Sequence, residues 1–349
     1  MPRPLPPFPP TEHGQMLERA AARIHAGGLV AFPTETVYGL GADATSPQAV
    51  AAVFALKGRP SHNPLIIHVT GEDMAQRYAA RWPARARALA RAFWPGPLSI
   101  IVPRGPLIPD AVAAGGPTIA VRAPDHPLAL ALLFAVGRPL VGPSANPSGG
   151  VSPTTAAHVT GHWSDQQVMV LDGGACATGI ESTVVFAAAD DQPVRILRPG
   201  VIGPAALSAA LGEPVRLPAH APAANAPEPL ASPGLLASHY APAAPALLFT
   251  DATWPDVLAR AQAGGASSPA VLLTHRPRTA PGLRILTLPA DAPAYAAALY
   301  SALRQADAAR PAFIAIDTPP DPADASLSPE HAAIWLAVAD RLARATAPR

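Results

Sequence analysis

Residues 29–44, LVAFPTETVYGLGADA, decide the fold. Four apolar residues in a row at 29–32 mark a short strand buried on both faces, and Pro33 ends it. The next three residues are polar. Thr34, Glu35 and Thr36 place short polar side chains at the strand's carboxyl end, where open α/β sheets bind ligands. Gly39 and Gly41 then read as a loop that turns on glycines and lets backbone approach a ligand closely. An ordinary strand-to-helix loop would carry the same residues, so the reading depends on the flanks.

On the upstream flank, residues 15–26 have helical spacing and stop at Gly27-Gly28. Downstream, Ser46 can cap a helix over 47–57, with Pro47 at its first position. Strands are expected at 65–69, 98–102, 118–122, 139–141, 168–171, 183–186 and 194–197. Helices are expected at 83–93, 127–136 and 154–159. Alternation of this kind makes an α/β domain over 14–211 with one large mixed sheet. The tail 1–13 is proline-rich and reads as polyproline II. Residues 212–245 are crowded with Pro and Ala without a period, a linker stiffened by proline. Strands at 246–250, 270–274 and 313–317, with helices at 257–262, 294–308 and 329–345, make a smaller α/β domain over 246–349.

The chain has 349 residues, 49% of them hydrophobic, enough for two cores. Its formal net charge is +1, so the global basic field of a nonspecific nucleic-acid binder is absent. One cysteine, Cys176, excludes a disulfide framework and a cysteine-built zinc site within the monomer. No stretch reaches ~18 uninterrupted apolar residues, and the N-terminus lacks a signal-type apolar core. The expectation is a soluble cytoplasmic protein with no membrane contact. Pro occurs 46 times, where average usage gives roughly 17. Lys57 is the one lysine among 25 basic residues. A sequence that writes Arg for every other cation keeps lysine where a guanidinium cannot replace a compact ammonium, or keeps it by chance on a helix end.

Polar residues gather in four further places. Lys57 and Arg59 close a helix, followed by Asn63 and His68, and could clamp a polyphosphate. Arg122 ends an apolar strand, a costly place for an unpaired cation. A ligand carboxylate held in bidentate fashion would satisfy it, as would a structural salt bridge. Residues 142–155, GPSANPSGGVSPTT, have the composition of an anion cradle entering a helix at Ser152-Pro153. Finally, ESTVV and ILRPG put Ser182 and Arg198 on consecutive strands. Cations, hydroxyls and glycines suit a nucleotide and a small anion better than a nucleophilic hydrolase.

Together, PTETVYGLGADA, Lys57 and Arg59, Ser144 and Asn146, ESTVV and ILRPG resemble the YrdC-type domain of L-threonylcarbamoyladenylate synthases. The resemblance covers about residues 14–211. SPGLLASHYAP at 232–242 is similar to the linker of the longer, two-domain form. The family fold is a twisted open mixed sheet with a basic cavity, here followed by a Rossmann-like C-terminal domain. The reaction implied joins L-threonine, bicarbonate and ATP, with Mg²⁺ on the nucleotide, into L-threonylcarbamoyl-AMP and pyrophosphate. A separate transferase then uses the product to form N6-threonylcarbamoyladenosine in tRNA. By similarity, Thr36, His68, Arg122, Gly142 and Ser182 hold threonine. Arg59, Asn63, Thr118, Ser144, Ser152 and Arg198 hold ATP, with Lys57 and Asn146 beside it and His239 or Tyr240 folding over it. Lys57 and Arg59 are the catalytic cations. The chain departs from the family at Leu235, Leu236, Ala237 and Ser238, where basic residues are usual, and at Phe186, where Asp is usual. The rival reading is a double-stranded RNA-binding module without catalysis. The near absence of lysine argues against it as the main role and leaves weak RNA binding open. A hydrogenase-maturation role would need zinc fingers that one cysteine cannot build.

Overall fold

The computed structural model describes residues 12–217, 238–263, 270–280 and 282–348. The first unit runs α1 (Glu12–His25), β1 (Leu29–Phe32), β2 (Gly39–Asp43), α2 (Pro47–Lys57), β3 (Ile66–His68), α3 (Glu72–Tyr78), α4 (Ala84–Phe93) and β4 (Leu98–Pro103). After a 3₁₀ turn come β5 (Thr118–Arg122), α5 (Pro127–Val136), β6 (Leu140–Val141), α6 (Ala156–Thr160), β7 (Val168–Val170), β8 (Thr183–Phe186), β9 (Arg195–Arg198) and α7 (Pro204–Leu211). The second unit runs β10 (Ala246–Phe249), α8 (Trp254–Ala263), β11 (Val271–Thr274), β12 (Arg284–Thr287), α9 (Ala292–Ala308), β13 (Ile314–Asp317) and α10 (Pro329–Ala345).

Local chemistry sets the ends. The Ser46 side chain accepts from the Ala49 amide, Pro47 opens α2, and Gly58 closes it at φ 60° in the left-handed region. Among the described residues, the first nine strands form one mixed sheet, ordered β7-β1-β2-β6-β3-β5-β4-β8-β9. The other four form a separate, wholly parallel sheet ordered β10-β13-β11-β12.

The alternation of side chains across the large sheet determines where a ligand can go. One face is sealed by a core that includes Ile67, Val121, Ile100 and Val185. On the other, α1 and α5 cover only the half around β1 and β6, packing on Val30, Phe32 and Leu140. The half built by β3, β5, β4 and β8 carries a small apolar set, Ile66, Ala120, Ile101 and Val184. His68 and Arg122 follow Ile66 and Ala120 by two residues and share that face, as Thr118 does. The second unit's helices close over its edge. Val37, Val151 and Ile180 of the first unit belong to the same buried cluster as Tyr300, Trp335 and Leu342.

Five elements depart from the sequence expectation, one of them the helix α7, where no helix is expected. Residues 39–43 are a strand, antiparallel to β1, and not a loop. The two glycines make room for a ring and not for a ligand: a Cβ at Gly39 or Gly41 would lie 3.0 Å from the Phe32 ring. The helix α6 begins at Ala156, capped by Thr155, so Ser152 does not sit at its start. The short, uncapped α3 and the exposed edge strand β12 carry too little pattern to be read. Of the linker 212–245, residues 218–237 lie outside the described residues.

Candidate active site

A pocket opens where β3, β5, β6 and β8 meet the linker. Thr36, Arg59, His68, Arg122, Gly142, Ser144, Ser182, Arg198, His239 and Tyr240 line it. Lys57, Asn63, Thr118, Asn146 and Ser152 do not.

At one end, His68 and Arg122 stand side by side in register on β3 and β5. Arg122 Nη1 donates to Thr36 Oγ1 at 2.8 Å, and Nε to the Gly96 carbonyl at 3.3 Å. Its Nη2 lies 2.7 Å from Glu35 Oε2. Of the two partners the sequence leaves open for Arg122, a ligand carboxylate or a structural salt bridge, the protein supplies the salt bridge through Glu35. The contact is out of line, however. Arg122 Nη2 and both Glu35 oxygens make no hydrogen bond, so the ion pair neutralises charge while leaving directional capacity on both groups. His68 is buried, and its Nδ1 makes no hydrogen bond. Burial, with Arg122 alongside, pushes its pKa down to about 3, so the ring is neutral. Gly142 is required here, because a Cβ would stand 2.5 Å from His68 Nδ1. Ser182 Oγ lies 2.8 Å from Ser99 Oγ, and Arg198 Nη2 donates to it at 3.2 Å.

At the other end, Arg59 is anchored by Asn63. Its Nε donates to the Asn63 carbonyl at 3.0 Å, and Nη2 donates to Asn63 Oδ1 at 2.7 Å and the Pro64 carbonyl at 2.6 Å. Nη1 makes no hydrogen bond among the described residues. Burial, with Arg198 nearby, lowers the Arg59 pKa to about 9. Asn63 thus holds a pocket cation instead of facing the pocket itself. Lys57 does the same for a loop. Its Nζ donates to the carbonyls of Ser144 at 2.6 Å and Asn146 at 2.5 Å, and its own carbonyl accepts from Ser148 at 2.8 Å. Burial, then Arg59, push its pKa well below the usual lysine value. The clamp expected of Lys57 on a polyphosphate is thus, in the structure, a clamp on the Ser144–Ser148 backbone. The Asn146 amide donates to the Pro147 and Gly150 carbonyls of that loop.

Ser152 Oγ donates to Glu181 Oε1 at 2.6 Å. Thr118 stands at the opposite end of β5 from Arg122, on the same face. His239 and Tyr240 of the linker are deep in the protein: Tyr240 is 1% exposed and His239 8%. Their rings meet edge-on at 4.0 Å, and Tyr240 stacks on Tyr300 of α9 at 5.7 Å. Ala241 donates to the Gly149 carbonyl, docking the linker on the Lys57-held loop.

Sequence reading missed Ser99 and Glu181. Glu181 had a signal: an acid at the start of an apolar strand is as costly as Arg122 at the end of one. Among the described residues, no group of three or more His, Cys, Asp or Glu could hold a metal, and no helix is long and apolar enough to cross a membrane.

A family model described as "Telomere recombination" and spanning Sua5, YciO and YrdC proteins matches residues 22–200. A second, for the C-terminal domain of threonylcarbamoyl-AMP synthase, matches residues 202–347. The chain belongs to the Sua5–YrdC family. It is 44% identical over 230 residues to the threonylcarbamoyl-AMP synthase of Bacillus subtilis, and 41% identical over 225 residues to that of Pyrococcus abyssi. These alignments cover 66% and 64% of this chain and 65% of each relative. In three dimensions the likeness runs further. The crystal structure of Pyrococcus abyssi Sua5 complexed with L-threonine superposes with a TM-score of 0.84 at 32% identity, covering 96% of this chain and 95% of that one. The Sua5 form, with its second domain, therefore describes both sheets of this molecule.

Proposed function

We propose that the chain is an L-threonylcarbamoyladenylate synthase. One observation carries the reading: a single pocket sets a polar end, Arg122–His68–Ser182, beside a cationic end, Arg59–Arg198. The threonine amine attacks the carbon of bicarbonate with loss of water and gives the N-carboxylate. An oxygen of that carboxylate attacks the α-phosphate of ATP, and pyrophosphate leaves. Both reactants in the second step are anions, so the protein's task is to offset repulsion and hold geometry. Arg59 Nη1 and Arg198 supply positive charge. Arg122 Nη2 supplies a donor for the amino acid carboxylate while Glu35 keeps the site from excess charge. A neutral His68 offers its unpartnered Nδ1 to the threonine amine or hydroxyl. Leu65 and Ile66 give the pocket an apolar wall that suits a base. Mg²⁺ fits as part of the nucleotide substrate, since both nearby carboxylates, Glu35 and Glu181, already face arginines. Lys57 works through the Ser144–Ser148 loop. The product is a mixed anhydride that a transferase acting on tRNA would consume.

Pyrophosphate release is the test, with threonine, serine or no amino acid, and with or without bicarbonate. Release that requires both threonine and bicarbonate is expected. Release indifferent to the amino acid, or none, would overturn the reading.

A further inference from the structure

Resting on that reading, we propose that Arg341, on α10 of the second unit, is a positioning residue for the pocket and that Tyr300 on α9 assists it. The C-terminal unit thereby completes a site whose lining comes from the first unit and the linker.

The Arg341 guanidinium is fully buried and touches three separate segments of the pocket wall. Its Nε donates to Glu181 Oε2 at 2.9 Å. Its Nη2 donates to the Pro199 carbonyl at 3.0 Å. Its Cζ lies 5.3 Å from the centre of the Tyr240 ring. Glu181 and Tyr240 themselves line the pocket, and Arg198 lines it one position before Pro199. Arg198 in turn donates twice to the Ser182 carbonyl, at 3.1 and 2.9 Å. One planar fork from a helix 160 residues downstream of Glu181 thus fixes the spacing of the β8 and β9 ends and the seat of Tyr240.

Glu181 is the hub. Oε1 accepts from Ser152, and Oε2 accepts from Arg341 and from Tyr300 at 2.8 Å. Burial alone would raise the Glu181 pKa, but Arg341, Arg198 and the Ser152 hydroxyl outweigh it and hold the carboxyl below its usual range. Nη1 of Arg341 is engaged by Asp340 at 2.6 Å, which fixes the plane of the fork. A lysine at 341 keeps the charge and loses the planar fork that holds these partners at fixed spacing.

The test uses the full chain with Arg341→Lys, Tyr300→Phe, Glu181→Gln and the Arg341→Lys/Glu181→Gln double. Melting temperature, dissociation constants for ATP and for threonine by calorimetric titration, and threonine-dependent pyrophosphate release are measured on each. Expected are ~10-fold or weaker binding of both ligands in Arg341→Lys, several-fold weaker binding in Tyr300→Phe, and a double variant no worse than the worse single. Should Arg341→Lys not fold, Tyr300→Phe decides, because it keeps the ring stack and removes one hydrogen bond. Unchanged dissociation constants in folded variants, whatever their melting temperature, or simple additivity in the double variant, would overturn the proposal. A wild type that binds both ligands but releases no pyrophosphate would overturn the proposed reaction and leave the positioning inference to the binding data.

Discussion

Replacing Lys57 by methionine separates two roles for the one lysine in the chain. The stem keeps its length and apolar character, and the ammonium disappears. Two backbone carbonyls, those of Ser144 and Asn146, then lose donors at 2.6 and 2.5 Å. A buried acceptor left without a donor costs ~1–3 kcal/mol, so two set an upper bound of ~6 kcal/mol. Part of this returns, because burial and Arg59 already penalise the Lys57 charge. A net loss of ~1–4 kcal/mol in unfolding free energy is expected. The loosened loop carries Ser144 into the pocket and seats Ala241 of the linker. KM for ATP and for threonine should therefore rise together, by ~10-fold for each ~1.4 kcal/mol of lost positioning. Urea unfolding gives the first quantity and pyrophosphate release against each substrate gives the second. Stability unchanged within ~0.5 kcal/mol, with KM raised for ATP alone, would show a direct phosphate ligand and refute the loop-clamp argument. Lys57→Arg should be no milder, because a guanidinium cannot fit two such short contacts where Lys57 is 4% exposed.

The same geometry sets three other outcomes. Arg122→Lys loses the fork that reaches Thr36, Gly96 and Glu35, and should raise KM for threonine more than for ATP; equal effects on both would place Arg122 in nucleotide binding or in structure alone. Gly142→Ala forces a Cβ to within 2.5 Å of His68 Nδ1 and should weaken threonine binding at a stability cost of ~1–3 kcal/mol. Wild-type threonine affinity in that variant would mean that the His68 ring does not matter to the ligand. His68 and His239 have folded pKa values of about 3 against an ordinary 6.5, so the unfolded chain binds more protons between these limits. Their contribution to stability is complete above pH 6.5 and falls away as the pH drops toward 3, with a slope of up to ~2.7 kcal/mol per pH unit for the pair. Urea unfolding at pH 7, 6 and 5 should show this, and His68→Gln should remove about half of the slope; a slope unaffected by the substitution would place the proton uptake elsewhere.

Features that depend on neighbours in the chain were legible in the residues alone. The Ser46–Pro47 start and Gly58 stop of α2 are local hydrogen bonds and local dihedrals, and they stand where the residues put them. The apolar run of β5 ending at Arg122 is likewise legible, because strand period and burial need no distant partner to be seen. The roles of the polar residues emerged only once the chain was folded. Gly39 and Gly41 look like a turn until Phe32 is seen lying across them. Arg122 looks unpaired until Glu35, in a loop far upstream, is brought to 2.7 Å. Lys57 looks like a phosphate ligand until its ammonium is found between two carbonyls. Glu181 and Arg341 gave no joint signal, since a buried charge is tolerated only through its partner and that partner stands 160 residues away on another sheet's helix. Period and capping are written along the chain, whereas the cost of burying a charge is settled only by which groups the fold places around it.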